Sequence, residues 1–568
     1  MTAPTQSAAV LDSHSAVAAV PRRSALDRLL LWAGDHLNPI LIKETRQALK
    51  SRQFLVTFAL LLICGWAWTI LGVAWIGPEI HYGAQGREMF AGYYFILAFP
   101  LLVIVPFSAF RSLTVEQEER TYELLSITTL GPRQIVSGKL GSAVLQMVVY
   151  LSALTPCLAF TYMLRGIDFP TILVILFYTV LASLALALVG LLLGTLTSQK
   201  HWQVVLSVVM IAGLLLALGV SYSVAMRVLS GPGVPVASVE FWQANAGFLT
   251  GYCGYFLLLF YAAAAQLTFA SDNRSTRLRV TMLAQQLLFT GWMLWVWLGP
   301  ASGENEVLLV FLSFVALHWF VMGALMTGES PELSPRVKRR LPQSFLGRMF
   351  LTWFNPGPGT GYVFAIAGML AALALVLAAE PLQEALRLPV PVAPQAASSR
   401  LAFATISAFG VLAASYLTIY LGVGLLLIRL LRRVTRTTVV ASLLIQVLLV
   451  LLGILVPTVV QWMSPDLRGA SYSLLHITNP FWSAGQAVDR GSVSADTWTL
   501  LTIVPPIALI VFGLNLPGVA RELRHVRIAR PKRVAQEDAQ LRALRSPPQP
   551  IRISPWDEVL PGQEDESP

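Results

Sequence analysis

Two segments of the sequence carry charged residues at spacings that predict binding rather than catalysis. The first is NPILIKETRQALKSRQF, residues 38–54, and the second is RSLTVEQEERTYELLSITTLGPRQIVSGK, residues 111–139. The first segment is basic, whereas the second begins with a run of acidic residues. Side chains of this kind on short helices can bind a membrane surface or a protein partner.

The first segment has the pattern of an amphipathic helix. Asn38 is a favourable N-cap residue, and Pro39 fits the first helical position. Apolar side chains share one side of this helix and charged side chains the other. The charged residues within it are Lys43, Glu44, Arg46, Lys50 and Arg52, and the four basic ones are predicted to share one side. We expect a helix that lies along the inner membrane surface and leads into the first span; a generic basic helix beside the membrane is the alternative.

The second segment is predicted to form a short helix with an acidic start. Thr114 and Gln117 match a capping box, and Glu116, Glu118 and Glu119 would then fall in the first turn, where the helix dipole favours negative charge. Glu116 is also spaced to pair with Arg120. Apolar residues follow the acidic run. They are Leu124, Leu125 and Ile127.

This combination predicts a protein-docking surface, and a capped helix-turn-helix without a partner is the alternative. Gly131 and Pro132 should end the helix, and Pro132 should begin the next one, which passes Lys139 into the third span.

Motifs for nucleotide, metal or nucleophilic chemistry are missing from the sequence. The string GPRQIVSGK at 131–139 has the wrong spacing for a Walker A motif, and GPGTG at 357–361 lacks the lysine and is predicted to be a turn that enters the ninth span. There is no HExxH, paired CxxC or GxSxG. We therefore predict no catalytic residue, metal site or bound cofactor on this chain, which is not expected to be an enzyme.

The composition predicts that membrane-spanning helices flank these two segments. The 568 residues are 55% hydrophobic and only 12% charged, with a mean hydropathy of +0.66, which excludes a soluble or disordered chain. Twelve uncharged apolar runs are each near the length of a membrane-spanning helix. They lie at 54–77, 91–110, 140–164, 171–196, 202–224, 247–270, 281–300, 307–327, 361–379, 401–428, 437–460 and 498–516. The prediction is an all-α polytopic membrane protein whose charges all lie in loops and tails.

The distribution of basic residues predicts the orientation. If the N-terminus is cytoplasmic, 33 of the 40 Lys and Arg residues fall on the cytoplasmic side. The positive-inside rule therefore favours a cytoplasmic N-terminus and a cytoplasmic C-terminus. The same rule explains the net charge of +10 without a nucleic-acid partner.

A few polar and small residues lie within the predicted spans. His318 is the single histidine there, and we expect it to be a packed, hydrogen-bonded residue. Glutamines are expected to join neighbouring helices by hydrogen bonds. They are Gln146, Gln266, Gln285, Gln286 and Gln446. The pairs Gly190–Gly194 and Gly247–Gly251 predict close helix packing.

Together the two charged segments resemble the membrane subunit of ABC-2-type transporters, which are ATP-binding cassette transporters with a separate ATPase. The resemblance covers about residues 38–270. The matching residues are Glu119, Arg120, Glu123, Leu124, Leu125, Thr128, Ile135, Gly138 and Lys139. The sequence departs from the family pattern at Thr121-Tyr122, where a Gly-Thr-like pair is common, and at Leu130, with the proline displaced to Pro132.

The resemblance implies that 111–139 contains a coupling helix that seats in a nucleotide-binding subunit. The implied coupling residues are Glu116, Glu119, Arg120, Glu123, Leu124, Leu125, Thr128 and Lys139. It also implies that ATP and Mg²⁺ bind to a partner ABC ATPase, that a second permease chain is a further candidate partner, and that the chain lies in the lipid bilayer of a bacterial inner membrane.

Four regions follow from these patterns. They are a cytoplasmic tail with an interfacial segment (1–37), an ABC-2-like six-helix domain (38–270), a second six-helix region (281–516) and a basic, then disordered, tail (517–568). Two other functions remain open: a secondary carrier with six plus six helices, and a membrane scaffold without transport activity. The near absence of ionisable residues in the spans argues against the carrier.

Overall fold

The chain is an all-α polytopic membrane protein, as its sequence predicts. The computed structural model describes residues 38–77, 83–119, 130–196, 199–269, 271–299, 305–342, 344–385, 403–435, 437–464, 474–488, 493–524, 526 and 532–545. No β-strand occurs among these residues, and 11 of their helices are long and apolar enough to cross a membrane. The predicted interfacial segment at 1–37 lies outside the described residues.

The chain divides into two compact units. The first comprises Met1–Trp242 with Ala262–Leu267, and the second comprises Gln243–Tyr261 with Thr268–Pro568. The boundaries of the four predicted regions stay predictions.

The first unit contains seven α-helices before Val239 among the described residues. They are α1 (Pro39–Leu49), α2 (Arg52–Ile76), α3 (Gly86–Phe99), α4 (Val105–Glu118), α5 (Pro132–Met163), α6 (Phe169–Gly194) and α7 (Lys200–Ser230). The next helix, α8 (Val239–Leu267), is divided between the two units.

The second unit combines membrane helices with short surface helices. The long ones are α9 (Thr276–Leu298), α10 (Glu306–Met326), α13 (Pro358–Leu377), α15 (Phe403–Leu431), α16 (Val439–Met463) and α18 (Ala495–Arg524). The short ones are α11 (Pro335–Arg339), α12 (Phe345–Leu351), α14 (Ala379–Ala385), α17 (Pro480–Gly485) and α19 (Lys532–Arg545). Helices α10, α13 and α15 form the centre of its apolar core, around Trp319, Tyr362 and Leu421.

Eleven of the twelve predicted spans coincide with helices that qualify as membrane-spanning among the described residues. The seventh predicted span, 281–300, lies on α9, which is long enough but less apolar because it carries two glutamines and three tryptophans.

The second membrane helix is interrupted near its centre. Helix α3 ends at Phe99, a π-helical segment covers Pro100–Ile104, and α4 continues from Val105. Proline lacks a backbone N–H, so carbonyl groups near it need other hydrogen-bond donors. The Ser183 hydroxyl on α6 donates to the Leu101 carbonyl and satisfies one of them.

Close packing at Gly190–Gly194 is confirmed. A Cβ atom placed on Gly190 would lie 2.8 Å from the Pro106 carbonyl oxygen, and one on Gly194 would lie 3.0 Å from the Phe110 carbonyl oxygen. Helices α6 and α4 therefore touch through their backbones. The Gly247–Gly251 pair differs, because Cβ atoms there would meet only aromatic side chains at ordinary contact distances of 3.8–3.9 Å.

This contact predicts that Gly190→Ala lowers stability. Overpacking a tight contact costs about 1–3 kcal/mol, and the backbone of α4 cannot move aside as a flexible side chain could. Gly213→Ala is the matched control, because a Cβ there meets nothing within 4 Å. Thermal unfolding of the purified protein should show a lower midpoint for Gly190→Ala alone. Equal midpoints for the two variants would contradict the close approach of α4 and α6.

Candidate functional site

Helix α1 begins as predicted and packs against the start of α5. The Asn38 Oδ1 accepts a hydrogen bond from the Ile40 amide at 3.1 Å, and its Nδ2 donates to the Gln134 carbonyl at 2.5 Å. Ile40 is buried over Gly138, where an added Cβ would lie 2.8 Å from the isoleucine Cβ. One side of α1 is therefore fixed to protein rather than lying free on a membrane surface.

The predicted segment 38–54 consists of two helices. Helix α1 ends at Leu49, and α2 starts at Arg52 after Ser51, whose hydroxyl accepts from the Phe54 amide at 3.1 Å. The Ser51 N-cap was not anticipated, although serine before an apolar run is a typical helix start. The outward side of α1 keeps an exposed basic face. Its residues are Lys43, Arg46 and Lys50.

Lys139 lies at the centre of a buried ion cluster. Its side chain is 2% exposed, and its Nζ lies 3.1 Å from the Glu44 Oε1 and 3.1 Å from the Glu116 Oε1. The same Nζ donates to the carbonyl and hydroxyl oxygens of Ser112, both at 3.4 Å. Lys43, with a 58% exposed side chain, adds longer contacts of 3.6 Å to Glu116 and 3.9 Å to Glu44.

The cluster joins three helices that are distant in sequence. Glu44 lies on α1, Glu116 lies at the end of α4, and Lys139 lies in the second turn of α5. A buried charge is stable only when it is paired and hydrogen-bonded. The three helix ends must therefore stay together for Lys139 to remain buried.

The predicted capping box at Thr114 is wrong. Thr114 lies inside α4, and its hydroxyl donates to the Phe110 carbonyl at 2.7 Å. The membrane helix continues past the predicted end of its span to Glu118, so Glu116 and Glu118 occupy its last turn and not a first turn. A carboxylate there is disfavoured by the helix dipole, and Lys139 compensates for this at Glu116.

The prediction that every charge lies in a loop or tail is also wrong. Lys139 lies within α5, Arg279 within α9, and Glu522 within α18. The helices extend beyond their apolar segments, so charged residues beside a predicted span become part of it. Of the other predicted coupling residues, Glu119 is the C-cap of α4, whereas Arg120, Glu123, Leu124, Leu125 and Thr128 lie outside the described residues.

The second unit contains another buried charge network, which the sequence did not predict. Arg279 on α9 is fully buried, and its guanidinium contacts the Glu329 carboxylate at 2.5 Å. It also donates to the carbonyls of Trp353 at 2.7 Å and Gly357 at 3.0 Å, and to the Thr360 hydroxyl at 3.1 Å. This one side chain joins α9 and the end of α10 to the loop before α13.

The GPGTG segment at 357–361 leads into the ninth predicted span, but it is not the predicted turn, because Gly357 is the N-cap of α13 and residues 358–361 form the first turn of that helix. Its backbone N–H groups bind carboxylates of the same chain: Gly357 donates to Glu329 at 2.8 Å, and Gly359 and Thr360 donate to Glu522 at 2.9 and 3.2 Å. Glycine-rich loops at helix starts commonly bind phosphate through such groups. Here Glu329 and Glu522 occupy those donors.

These contacts predict that Arg279→Met strongly destabilises the second unit. Removing one partner of a buried ion pair costs about 3–5 kcal/mol, since the other charge is left buried. Arg336→Met is the matched control, because its side chain is 51% exposed and pairs with Asp272 at 3.0 Å; exposed pairs contribute under about 1 kcal/mol. Thermal unfolding of both purified variants checks this. A similarly small decrease in the unfolding midpoint of both variants would contradict the conclusion that Arg279 stabilises the second unit.

Polar side chains within the second unit's helices form a further group. His318 is buried, and its Nδ1 lies 3.1 Å from the Tyr255 hydroxyl. Gln286 accepts from the Trp319 indole at 2.9 Å, and Gln446 donates to the Leu421 carbonyl at 3.3 Å, so both join neighbouring helices as predicted. The prediction is wrong for Gln146 of the first unit, which donates to the Ser142 carbonyl of its own helix at 3.4 Å. Gln285 is equally buried, and its amide has no hydrogen-bond partner.

No cluster of three or more His, Cys, Asp or Glu side chains that could hold a metal ion occurs among the described residues. Comparison with protein-family models, with curated proteins and with solved structures finds no match.

Proposed function

We propose that this chain is the membrane-spanning permease subunit of an ABC-2-type transporter in a bacterial inner membrane. In this proposal it forms the translocation path and couples to a separate ATPase subunit. The polytopic all-α fold is compatible with that role. The proposal depends on the resemblance of residues 38–54 and 111–139, and on the ion cluster that brings these segments together.

The cluster around Lys139 is the observation that carries the proposal. Glu116 lies near the start of the predicted coupling segment 111–139, and Lys139 is its last residue. Their ion pair at 3.1 Å holds the two ends of this segment together, and the ion pair between Glu44 and Lys139 attaches α1 to the same point. Because the loop is held at both ends, a movement of the partner would be transmitted to α4 and α5. Both helices belong to predicted membrane spans.

In this proposal the energy source is a separate subunit. The sequence has no Walker A motif, and the amides of its glycine-rich loop at 357–361 bind Glu329 and Glu522. Both observations support an arrangement in which ATP and Mg²⁺ bind to the partner. A second copy of a permease chain remains a proposed partner.

A secondary carrier is the second candidate, and one observation favours it. His318 and Gln285 are buried among membrane helices, and the His318 Nε2 and the Gln285 amide lack hydrogen-bond partners. Ionisable and polar side chains in such positions often bind a transported ion or substrate. A carrier of this kind would need no ATPase.

One experiment separates the two candidates. The affinity-tagged chain is expressed from its own genome, solubilised in mild detergent and purified. The permease proposal predicts stoichiometric recovery of a protein with Walker A and B motifs, and ATP binding only in that complex. Recovery of the chain without an ATPase, together with ion-driven uptake into proteoliposomes, would support the carrier instead.

A further inference from the structure

Helix α12 exposes a compact apolar side. Phe345, Leu346, Met349 and Phe350 are 74%, 63%, 49% and 64% exposed, and no residue of the helix is buried. At about 100° per residue these four side chains share one side of the helix. The helix itself is well formed, because the Ser344 hydroxyl caps it by accepting from the Gly347 amide at 3.2 Å.

The position of α12 places this apolar side near the start of a membrane span. A 3₁₀ turn, Thr352–Phe354, follows it directly, and α13 begins at Pro358. Arg279 holds the turn through the Trp353 carbonyl and holds the start of α13 through the Gly357 carbonyl. Helix α12 therefore directly adjoins the start of α13, one of the helices long and apolar enough to cross a membrane.

Basic residues precede the apolar side. Helix α11 and its C-cap contain Arg336, Lys338, Arg339 and Arg340, of which the three arginines are exposed. Arg336 pairs with Asp272. Clusters of Lys and Arg next to a membrane helix attract anionic lipid headgroups, and an adjacent apolar face adds burial below the headgroups.

We propose that α11 and α12 form a binding surface for anionic phospholipid of the bilayer. The apolar side of α12 enters the boundary between headgroups and acyl chains, while Lys338, Arg339 and Arg340 contact headgroup phosphates. The charge of α11 and the continuity of α12 with a membrane span favour a lipid surface over a soluble protein as the occupant. This binding surface does not depend on the proposed transport function.

Fluorescence quenching in nanodiscs tests the proposal. In a variant without Cys64, Cys157 and Cys253, Phe350→Cys carries an environment-sensitive dye, and a second sample carries the dye at Gln540→Cys on the polar helix α19. The discs contain phosphatidylcholine and phosphatidylglycerol, with a spin-labelled form of one or the other at equal mole fraction. Both labelled sites are exposed, which limits any effect on folding.

We expect lipid spin labels to quench the dye at position 350 and aqueous iodide to quench the dye at 540. Spin-labelled phosphatidylglycerol should quench position 350 more strongly than spin-labelled phosphatidylcholine. Arg339→Gln with Arg340→Gln should reduce that preference by about fivefold per charge, whereas Arg227→Gln, an exposed arginine on α7, should leave it unchanged.

Two results would overturn the proposal. Quenching of position 350 by iodide and not by lipid would show that α12 faces water. Equal quenching by the two spin-labelled lipids in the otherwise unchanged chain would show that anionic headgroups are not enriched there.

Discussion

Lys139→Met is expected to release α1 and to uncouple the membrane unit from its proposed ATPase. The substitution removes the ammonium group that lies 3.1 Å from both the Glu44 and the Glu116 carboxylates, and these two mostly buried groups keep their longer contacts to Lys43. Losing one partner of a buried pair costs about 3–5 kcal/mol. Amide hydrogen exchange in α1 should therefore accelerate by at least about 100-fold, which corresponds to ~3 kcal/mol of local opening free energy.

Lys43→Met is the matched control within the same cluster. It removes a lysine from the same two carboxylates, but its side chain is largely exposed and its contacts are longer. Exposed pairs contribute under about 1 kcal/mol, so exchange in α1 should change by less than about fivefold. Adding Glu116→Gln to Lys139→Met should recover part of the lost stability, because one of the two carboxylates that Lys139 neutralises is then uncharged. If the two lysine variants behave alike, the cluster does not hold α1 in place.

Replacing Leu124 and Leu125 together by aspartate is expected to abolish association with the ATPase. Both leucines lie in the predicted coupling loop and are the apolar residues that the resemblance assigns to the contact. Burying a leucine contributes roughly 1.5–3 kcal/mol, and a buried unpaired carboxylate adds a further cost. Binding measured by co-purification should fall below detection, and ATP turnover in the membrane should lose its dependence on this chain.

Two controls distinguish the loss of leucines from the added charge. Ser126→Asp with Thr129→Asp adds the same charge to the same loop and keeps both leucines, so most of the binding should persist. Glu119→Ala should weaken binding only slightly, because a charge at the rim of an interface contributes under about 1 kcal/mol. Normal association and turnover of the double leucine variant would remove the main support for the permease proposal.

The membrane helices and the start of α1 could be predicted because their signals are local. Long apolar runs show where the spans lie, and Asn38 with Pro39 shows where a helix begins. The error at Thr114 has the same origin, since a local capping pattern does not reveal that a helix already runs through it. The sequence pattern includes Thr114 and Gln117 but says nothing about how far α4 extends.

The ion clusters could not be predicted, because their partners are brought together only by tertiary packing. Lys139 meets Glu44 across 95 residues of sequence, and Arg279 meets Glu329 across 50. Lys139 was selected from the resemblance alone, without any indication that it is buried. A signal for Arg279 did exist: an arginine immediately before an apolar run that already contains Gln285 and Gln286 is a candidate for burial within a bundle.

The contact between Glu522 and the start of α13 has a consequence for the order of events during synthesis. Glu522 is translated 163 residues after Gly359. At about 5–20 residues per second, the ribosome needs about 8–33 s to produce it. During that interval the free amides at the start of α13 have water at the membrane surface as their partner. Helix α13 is thus among the early helices of its unit to be made, yet its first turn is completed only when α18, the last long helix, has reached its final residues.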